Sequence, residues 1–263
     1  MKKRELTSEK YIEELEEKII DLGLRLKSTT NELNDVRDSN KKTLGKLVHN
    51  LKNPVGVIYS FSDMILDSIE DYSPEKLEKY LGIINSSANF SIQLLNSIAK
   101  FSQFQSSEFA LSLKKVNYQE LIKSVINDCQ EISEKKNITI DCVLPEESIF
   151  VDVDEAEFGI VLNNILNNAI RYSENNSTIR VEVKSTADTI ETIILDKGIG
   201  ISENDLPLIF NDFFVVNTYS ENKQKCIGLG LTIANKIVKL HQGNIDVKSL
   251  LNNGTQVIIK LPK

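Results

Sequence analysis

Apolar residues recur alternately every three and every four positions through the first fifty residues. The stripe is formed by Ile12, Leu15, Ile19, Leu22, Leu26, Thr29, Leu33, Val36, Asn40, Thr43 and Leu47. A seven-residue repeat sustained for about five heptads is typical of a coiled coil, and an Asn on its seam, here Asn40, can set the register. Because so narrow a stripe leaves one helix little to bury, the pattern favours a dimeric coiled coil over a single amphipathic helix packed on its own domain.

The same period continues beyond the heptads as far as Ile65. Pro54 lies within this run and is expected to kink the helix, because it lacks the N–H that an interior helical residue donates. With 3.6 residues per turn, His49 lies about 160° around the helix from Leu51 and therefore points to the solvent side.

A second helix is predicted after a break in the pattern at residues 67–72. Ser73 followed by Pro74 is typical of an N-cap and a first helical residue, and helical periodicity then extends to about Phe104. Two long helices joined by a short turn form a helical hairpin. Two such hairpins from two chains would form a four-helix bundle that the coiled coil enters.

The remainder of the chain mixes short β-rich runs with helical stretches. The runs are 138–140, 179–183, 192–195 and 257–259, and the helical stretches are 117–134, 154–172 and 229–241. This mixture predicts an α/β sandwich of about 150 residues, a normal domain size. The predicted domains are a coiled-coil helix over 1–45, a hairpin over 46–108 and the α/β domain over 109–263.

Composition excludes several classes of protein. The 263 residues include 31 Lys and Arg against 38 Asp and Glu, the net charge is −7, and 41% are hydrophobic. The acidic balance argues against nucleic acid as a partner, and no apolar run approaches the roughly 18–20 residues of a membrane span. The N-terminus has no signal-peptide apolar run, and Cys129, Cys142 and Cys226 form no CxxC pair. A reducing, cytoplasmic location is therefore expected.

Two amides four residues apart mark the first cluster of chemically capable residues, Asn164-Ile165-Leu166-Asn167-Asn168-Ala169-Ile170-Arg171-Tyr172. The side chains of Asn164 and Asn168 project from one face of a helix, and their oxygens are the hard donors that Mg²⁺ prefers. Arg171 can meet phosphates with its planar guanidinium, and Tyr172 offers a flat face for a base. Taken alone, the cluster also fits a polar surface helix.

Two glycine-containing turns form the second and third clusters. Asp196-Lys197-Gly198-Ile199-Gly200 follows an apolar strand, and its Asp can accept a hydrogen bond from an exocyclic amine. Cys226-Ile227-Gly228-Leu229-Gly230 opens a helix, whose N-terminal N–H groups suit an anionic phosphate. Between them, an aromatic segment over 209–214 and a polar stretch to residue 225 predict a mobile lid over 211–227.

The order of these motifs resembles the ATP-binding domain of sensor histidine kinases, with its N box, first glycine box, phenylalanine box and second glycine box. The preceding His49-Asn50-Leu51-Lys52-Asn53-Pro54 resembles that family's phosphoacceptor box. The resemblance covers residues 40–263 through five ordered motifs. It implies a dimeric helical bundle followed by an α/β-sandwich ATP-binding domain of the histidine kinase and gyrase type.

The resemblance also implies a role for each matching residue. His49 would accept the γ-phosphoryl group of ATP, and Asn53 would orient water for dephosphorylating the partner. Around the nucleotide, Asn168 would coordinate Mg²⁺ and Asn164 would support that site. Arg171 and Tyr172 would line the phosphates and the adenine–ribose end. Asp196 would recognise the adenine amino group. The implied backbone elements are Gly198 and Gly200 in the adenine wall and Gly228 and Gly230 at the lid hinge. His241 is expected to be structural.

The expected protein is a homodimeric histidine kinase core that uses Mg-ATP to phosphorylate His49 and passes the group to an aspartate of a separate response regulator. No sensor or receiver-like domain is recognisable, so the input is expected through the coiled coil from a missing segment or a partner protein. Residues 67–73 leave open whether transfer runs within a chain or across the dimer. His49 with Asn53-Pro54 disfavours an ATPase of the gyrase and heat-shock chaperone type.

Two positions depart from the family pattern. Asn50 stands where the family usually has Glu or Asp, and Cys226-Ile227 stands where the second glycine box usually begins Gly-Thr or Gly-Ser. An acid at the first position holds the imidazole tautomer and takes up its proton, whereas an amide can orient the ring without basicity. The alternative function is therefore a weakly active kinase-like scaffold or a phosphatase toward the regulator. A substitution engineered to trap one state is a further explanation of Asn50.

We expect Asn50→Asp and Asn50→Glu to raise the rate of phosphohistidine formation. General base catalysis contributes about 10²–10⁴ in rate, so restoring a carboxylate should recover part of that factor. Acid-labile label transferred from γ-labelled ATP measures the rate, and an unchanged rate in both variants would reject the hypothesis that Asn50 slows the reaction.

Overall fold

The computed structural model describes residues 2–104, 109–216 and 226–263. By their internal contacts these residues divide into two units, Met1–Asn53 and Pro54–Lys263. None of the helices in the described ranges combines the length and apolar character that crossing a bilayer requires. The domain boundaries predicted at residues 45 and 108 stay predictions, and residue 108 lies outside the described part.

Six α-helices are assigned within the described ranges, and the first is by far the longest. They are α1 (Lys2–Asp67), α2 (Pro74–Gln103), α3 (Tyr118–Asp128), α4 (Gln130–Lys135), α5 (Glu155–Tyr172) and α6 (Gly230–Leu240). Ser73 caps α2 as its sequence predicts, because its hydroxyl accepts a hydrogen bond from the Lys76 N–H at 3.4 Å.

In the first unit, the predicted coiled-coil stripe carries large apolar side chains in solvent. Leu22, Leu26 and Leu33 are 62%, 70% and 65% exposed. The side chains of five further seam positions lie outside the described ones, namely Ile12, Leu15, Ile19, Val36 and Asn40. These three leucines therefore form exposed apolar surface along one stripe, which is unusual for a folded monomer.

In the second unit, the end of α1 packs against α2 through aromatic rings. Phe61 and Tyr80 meet edge to face with ring centroids 5.2 Å apart, and Tyr72 contacts Tyr80 at 5.4 Å. The ammonium of Lys76 lies 4.5 Å from the centre of the Tyr72 ring. These contacts close the helical hairpin at its turn, since offset aromatic pairs and cation–π contacts add to burial.

The strands form one large and one small sheet. They are β1 (Lys114–Asn117), β2 (Thr139–Val143), β3 (Phe150–Val153), β4 (Thr178–Ser185), β5 (Thr189–Leu195), β6 (Asn244–Ser249) and β7 (Thr255–Pro262). The five-stranded sheet has the order β2-β4-β5-β7-β6, with β2 parallel to β4 and the other pairs antiparallel. Strands β1 and β3 pair separately, antiparallel, with Lys114 opposite Val153.

The core of this domain lies between the large sheet and helices α3, α5 and α6. Apolar residues are buried along one side of α5 and at alternate positions in β4 and β5, as a two-layer sandwich requires. Tyr118 is fully buried, and its hydroxyl forms a 2.6 Å hydrogen bond with the Thr192 hydroxyl of β5. That bond satisfies both polar groups inside the core.

The structure confirms the predicted order of a helical region followed by a mixed α/β domain, and it differs in detail. Strands β1, β3 and β6 were not predicted, since four-residue runs and a polar six-residue run carry little periodic signal. The single helix predicted over 117–134 is divided at Cys129. There the Cys129 N–H is shared between the Val125 and Ile126 carbonyls at 3.2 Å each, which tightens the last turn of α3.

Candidate functional site

Helix α5 is held at both ends by side chains from other parts of the domain. At its N-terminus, Asp154 accepts hydrogen bonds from the N–H groups of Glu157 at 3.2 Å and Ser112 at 2.9 Å. At its C-terminus, the Lys136 ammonium reaches the carbonyls of Ile170, Arg171 and Ser173 at 2.8–3.0 Å. A carboxylate at the first turn and a cation at the last turn both complement the helix dipole.

The four asparagines of α5 divide between two faces of the helix. Asn163 and Asn167 turn toward Cys129, whose sulfur lies 3.6 Å and 3.7 Å from their side-chain oxygens. Burial, with a smaller effect from Asp128, raises the pKa of the Cys129 thiol to about 11. The thiol therefore remains protonated at neutral pH and can donate to these amides.

Asn164 and Asn168 lie on the other polar face and are half-buried. Neither amide makes a hydrogen bond to another residue of the described ranges. A side chain added at Gly230 would bring its Cβ within 3.4 Å of the Asn164 oxygen, so the start of α6 passes directly over this amide. Amide oxygens left without protein partners are suited to hold a hard cation with its waters.

Asp196 is buried where β5 ends, beside the start of β7. Its Oδ1 accepts hydrogen bonds from the Gly198 N–H at 2.8 Å and the Thr255 N–H at 3.1 Å. Burial raises the pKa of Asp196, and these two hydrogen bonds oppose the rise. Its Oδ2 accepts no hydrogen bond from the described residues, so it is left available to an external donor.

The chain after Asp196 runs against the end of α5. Gly198 pairs with Ser173, and the Ile199 N–H donates to the Tyr172 carbonyl at 3.2 Å. A Cβ at Gly198 would collide with that carbonyl oxygen, so only glycine permits this approach. Gly200 lies two residues further on, where the backbone passes the Leu250 carbonyl. The first glycine turn thus joins α5 to Asp196.

Arg171 and Tyr172 meet Cys226, which is the first described residue after 217–225. The Arg171 Nη1 donates to the Cys226 sulfur at 3.0 Å, and the Tyr172 hydroxyl forms a hydrogen bond with the same sulfur at 3.2 Å. Burial and then the contact with Cys226 raise the pKa of Tyr172. All three side chains are half-buried, and the guanidinium carries further N–H donors besides the one on the sulfur.

Gly228 closes the chain against Phe213 with φ of +74°, a conformation that side chains rarely adopt. The Phe213 N–H donates to the Gly228 carbonyl at 2.9 Å. The ring of Phe213 in turn meets Phe101 of α2 at 6.2 Å, with the Lys236 ammonium 4.4 Å from the Phe101 ring centre. The lid predicted over 211–227 lies largely outside the described residues.

The predicted phosphoacceptor segment belongs to the first unit, apart from Pro54. His49 and Asn53 are exposed, and Asn50 is half-buried. The outward direction of His49 agrees with its predicted position opposite Leu51.

His241 is buried and has both ring nitrogens engaged. Its Nδ1 lies 2.8 Å from the Ile237 carbonyl, and its Nε2 lies 3.0 Å from the Asp154 N–H. This pattern assigns the proton to Nδ1, because Nε2 must accept. His241 therefore fastens α6 to the start of α5, a structural role that agrees with its prediction.

Several supporting residues were not foreseen from the sequence. They are Lys136 at the end of α5, Thr255 beside Asp196, and the ion pair of Lys100 with Glu157 that ties α2 to α5. None carries a local motif, since each acts through a partner more than 10 residues away. The contact of Cys226 with Arg171 and Tyr172 was not predicted either, since Cys226 was noted only as a departure from the second glycine box.

The assembled site has the groups that a nucleotide requires. A buried carboxylate with one open oxygen, two amides without protein partners, a guanidinium and the N-terminus of α6 lie around helix α5. These groups can recognise an amine, hold a hard cation and neutralise phosphates.

Comparisons with known proteins agree with this geometry. Residues 153–263 match the family described as "Histidine kinase-, DNA gyrase B-, and HSP90-like ATPase". The sensor histidine kinase YvrG of Bacillus subtilis is 27% identical over 228 residues, which are 87% of this chain and 39% of that protein. The sensor protein RprX of Bacteroides fragilis is 29% identical over 221 residues, which are 83% of this chain and 43% of that protein.

The chain thus spans less than half the length of these curated relatives. Among solved structures, one of histidine kinase ThkA in complex with the response regulator protein TrrA is similar to this chain. The match covers 84% of this chain and 61% of the matched chain in that structure. Its TM-score is 0.69 at 26% identity. The similarity therefore extends over the helical region as well as the α/β domain.

We expect Asp196→Asn to keep the fold and to change how the free energy of unfolding depends on pH. The pKa of Asp196 is higher in the folded protein than its ordinary value of 3.8, because burial disfavours the charged carboxylate. The protonated form therefore stabilises the native state at low pH. This stabilisation is lost as the pH rises from 3.8 through the pKa of the folded state. Asn keeps the Oδ1 acceptor and carries no charge. The free energy of unfolding of the variant relative to wild type should therefore increase from acid to neutral pH.

Denaturant unfolding at several pH values measures this difference. Asp188→Asn, in the exposed turn between β4 and β5, is the matched control and should leave the profile parallel to wild type. A difference between Asp196→Asn and wild type that does not change with pH would contradict the expectation.

Proposed function

We propose that this relative of the sensor histidine kinases is the kinase core of a two-component system. It transfers the γ-phosphoryl group of Mg-ATP to His49 and then to an aspartate of a separate response regulator. The observation that carries the proposal is the arrangement around α5, where Asn164 and Asn168 have no described protein partner and Asp196 keeps one oxygen open. Phosphoryl transfer depends mostly on positioning and charge neutralisation, which these groups can provide.

Each site residue has a proposed role toward the nucleotide. The open oxygen of Asp196 accepts from the adenine amino group, and Gly198 and Gly200 bring the backbone close enough to form the wall of the base pocket. Asn168 coordinates Mg²⁺, and Asn164 supports the same site. When bound, the metal ion neutralises phosphate charge.

The remaining residues act at the phosphates. Arg171 binds phosphate oxygens, and Tyr172 lies between the phosphates and the ribose. Gly228 and Gly230 form the hinge of a lid over 211–227. The N–H groups at the start of α6 add donors for the phosphates.

His49 acts as the nucleophile. An imidazole nitrogen would form a bond to the γ-phosphorus while the bond to the bridging oxygen of ADP breaks, and the ring proton would pass to solvent water. Asn50 can hold the ring by a hydrogen bond but cannot take up this proton. Asn53, one turn further along α1, would orient a water during dephosphorylation of the regulator.

The proposed partner of the phosphorylated form is a receiver domain. Support comes from the similarity to ThkA, which was solved in complex with the response regulator protein TrrA. The helical hairpin of this chain presents His49 in solvent, as a docking receiver requires.

The proposed assembly is a homodimer joined along the coiled coil and the hairpin. Leu22, Leu26 and Leu33 are exposed in the isolated chain and follow the seam of the heptad repeat. On α2, Leu81 and Leu95 are also more than half exposed. A signal from an upstream segment or partner would reach His49 by rotation or a change in crossing along this stripe.

Asn50 supports a second candidate function. With an amide beside His49 and with Asn53 retained, the chain would act as a phosphatase or scaffold toward the regulator and would scarcely phosphorylate itself. Both candidates use the same nucleotide site and the same dimer. They differ in whether His49 becomes phosphorylated at a measurable rate.

We expect the purified 263-residue chain to incorporate label from γ-labelled ATP with Mg²⁺ in a form that is stable to base and labile to acid. His49→Ala should remove the label, because no other imidazole is exposed in the described ranges. Nucleotide binding, measured with Mg-ADP, should be retained in His49→Ala. Label that persists in this variant would reject His49 as the acceptor.

Absence of label with intact nucleotide binding would select the phosphatase or scaffold. Steady release of phosphate without any labelled protein would instead favour a simple ATPase. A wild-type chain that fails to bind Mg-ADP would reject both candidates.

We expect Leu26→Glu combined with Leu33→Glu to convert a dimer to a monomer. Two buried charges on facing seam positions repel across the interface and lose apolar packing. Light scattering after size-exclusion chromatography measures the mass. Asn31→Glu, which lies on the outer face of the same heptad, is the matched control and should remain dimeric, and a dimer in both variants would contradict the proposed seam.

A further inference from the structure

Cys226 joins the two residues at the end of α5 to the start of the second glycine turn. Its sulfur accepts a hydrogen bond from Arg171 at 3.0 Å and forms another with the Tyr172 hydroxyl at 3.2 Å. Gly228 follows two residues later and is held against Phe213 by a backbone hydrogen bond of 2.9 Å. The sulfur is therefore carried by backbone whose position is fixed by a neighbouring turn.

The identity of the residue matters at this position. In sensor histidine kinases the second glycine box usually begins with glycine, which has no side chain to contact Arg171. In this chain a sulfur acceptor is present, and it contacts one of the five N–H donors of the guanidinium. Four donors remain for phosphate oxygens.

We propose that Cys226 is a positioning residue that holds the Arg171 guanidinium toward the phosphates of the nucleotide. The inference rests on the proposed function, since it concerns the same nucleotide site. Arg is a long side chain whose conformational freedom is lost on binding. Fixing it beforehand therefore improves affinity without a new contact to the ligand.

The Tyr172 hydroxyl completes the arrangement. It is hydrogen-bonded to the same Cys226 sulfur as Arg171, so the thiol links the two side chains at the end of α5. Lys136 fixes the backbone beneath them through the carbonyls of Arg171 and Ser173. Backbone and side chains of this corner are thus held by separate contacts, and loss of the thiol leaves the helix end in place.

A double-mutant cycle on Mg-ADP affinity tests the proposal. Cys226→Ala should weaken binding by about fivefold to tenfold, the range expected for loss of one ordinary hydrogen bond to a weak sulfur acceptor, with the melting temperature unchanged. In an Arg171→Ala background, the same Cys226→Ala change should cost less than about twofold, because the group it positions is gone. Isothermal titration of the full chain measures all four affinities.

Cys226→Ser provides a second, independent arm. A hydroxyl can accept from the Arg171 guanidinium, so affinity should return to within about twofold of wild type, whereas a purely packing role would not be rescued by a smaller polar group. If phosphohistidine forms, Cys226→Ala should raise the KM for ATP more than it lowers kcat. Cys142→Ala, at an exposed thiol on the edge strand β2, is the control and should change nothing.

The outcomes separate the inference from the function on which it rests. Wild-type protein that does not bind Mg-ADP rejects the proposed function. Wild-type binding with unchanged or tighter binding by Cys226→Ala overturns the positioning role, and so does an equal loss in the Arg171→Ala background. If Arg171→Ala abolishes Mg-ADP binding, the affinity of Cys226→Ser is used in place of the cycle. An affinity of Cys226→Ser that stays as weak as that of Cys226→Ala overturns the inference.

Discussion

The rotation of helix α5 about its own axis is the constraint on which the rest of the α/β domain depends. One side of the helix supplies buried residues to the core, and the polar positions between them must face in two other directions. Asp154, Lys136 and the Cys129 thiol hold the helix at its ends and along one flank. A rotation by one residue, about 100°, would exchange Asn163 for Asn164 and bury the wrong amides.

A second constraint is the close approach of backbone segments around Asp196. Gly198 lies against the Tyr172 carbonyl, and Gly254 lies against the Asp196 carbonyl with φ of +83°. These approaches bring two N–H donors to one carboxylate oxygen inside the domain. The charged form is thereby tolerated despite burial, at a cost in stability that a surface position would not carry. The proposed site for adenine is therefore built at the expense of folding energy.

The helical region differs from the α/β domain in the exposure of its apolar residues. Leu22, Leu26 and Leu33 of its apolar stripe are exposed, whereas most large apolar side chains of α5 and the central strands of the α/β domain are buried. The contacts of Lys100 and Phe101 at the end of α2 connect the hairpin to α5 and to the Phe213 turn. The end of α2 is therefore packed against the Phe213 turn, whose N–H donates to the Gly228 carbonyl.

Sequence alone determined the features that repeat with a fixed period or follow a local motif. The heptads, the Ser73-Pro74 start of α2, the shared face of Asn164 and Asn168, and the order of helical and mixed domains all follow from local backbone geometry. Tertiary structure decided which groups meet across the chain. Lys136 at the end of α5, Thr255 on Asp196, His241 on Asp154 and Cys226 on Arg171 are joined by packing between distant segments, for which a single sequence carries no periodic signal.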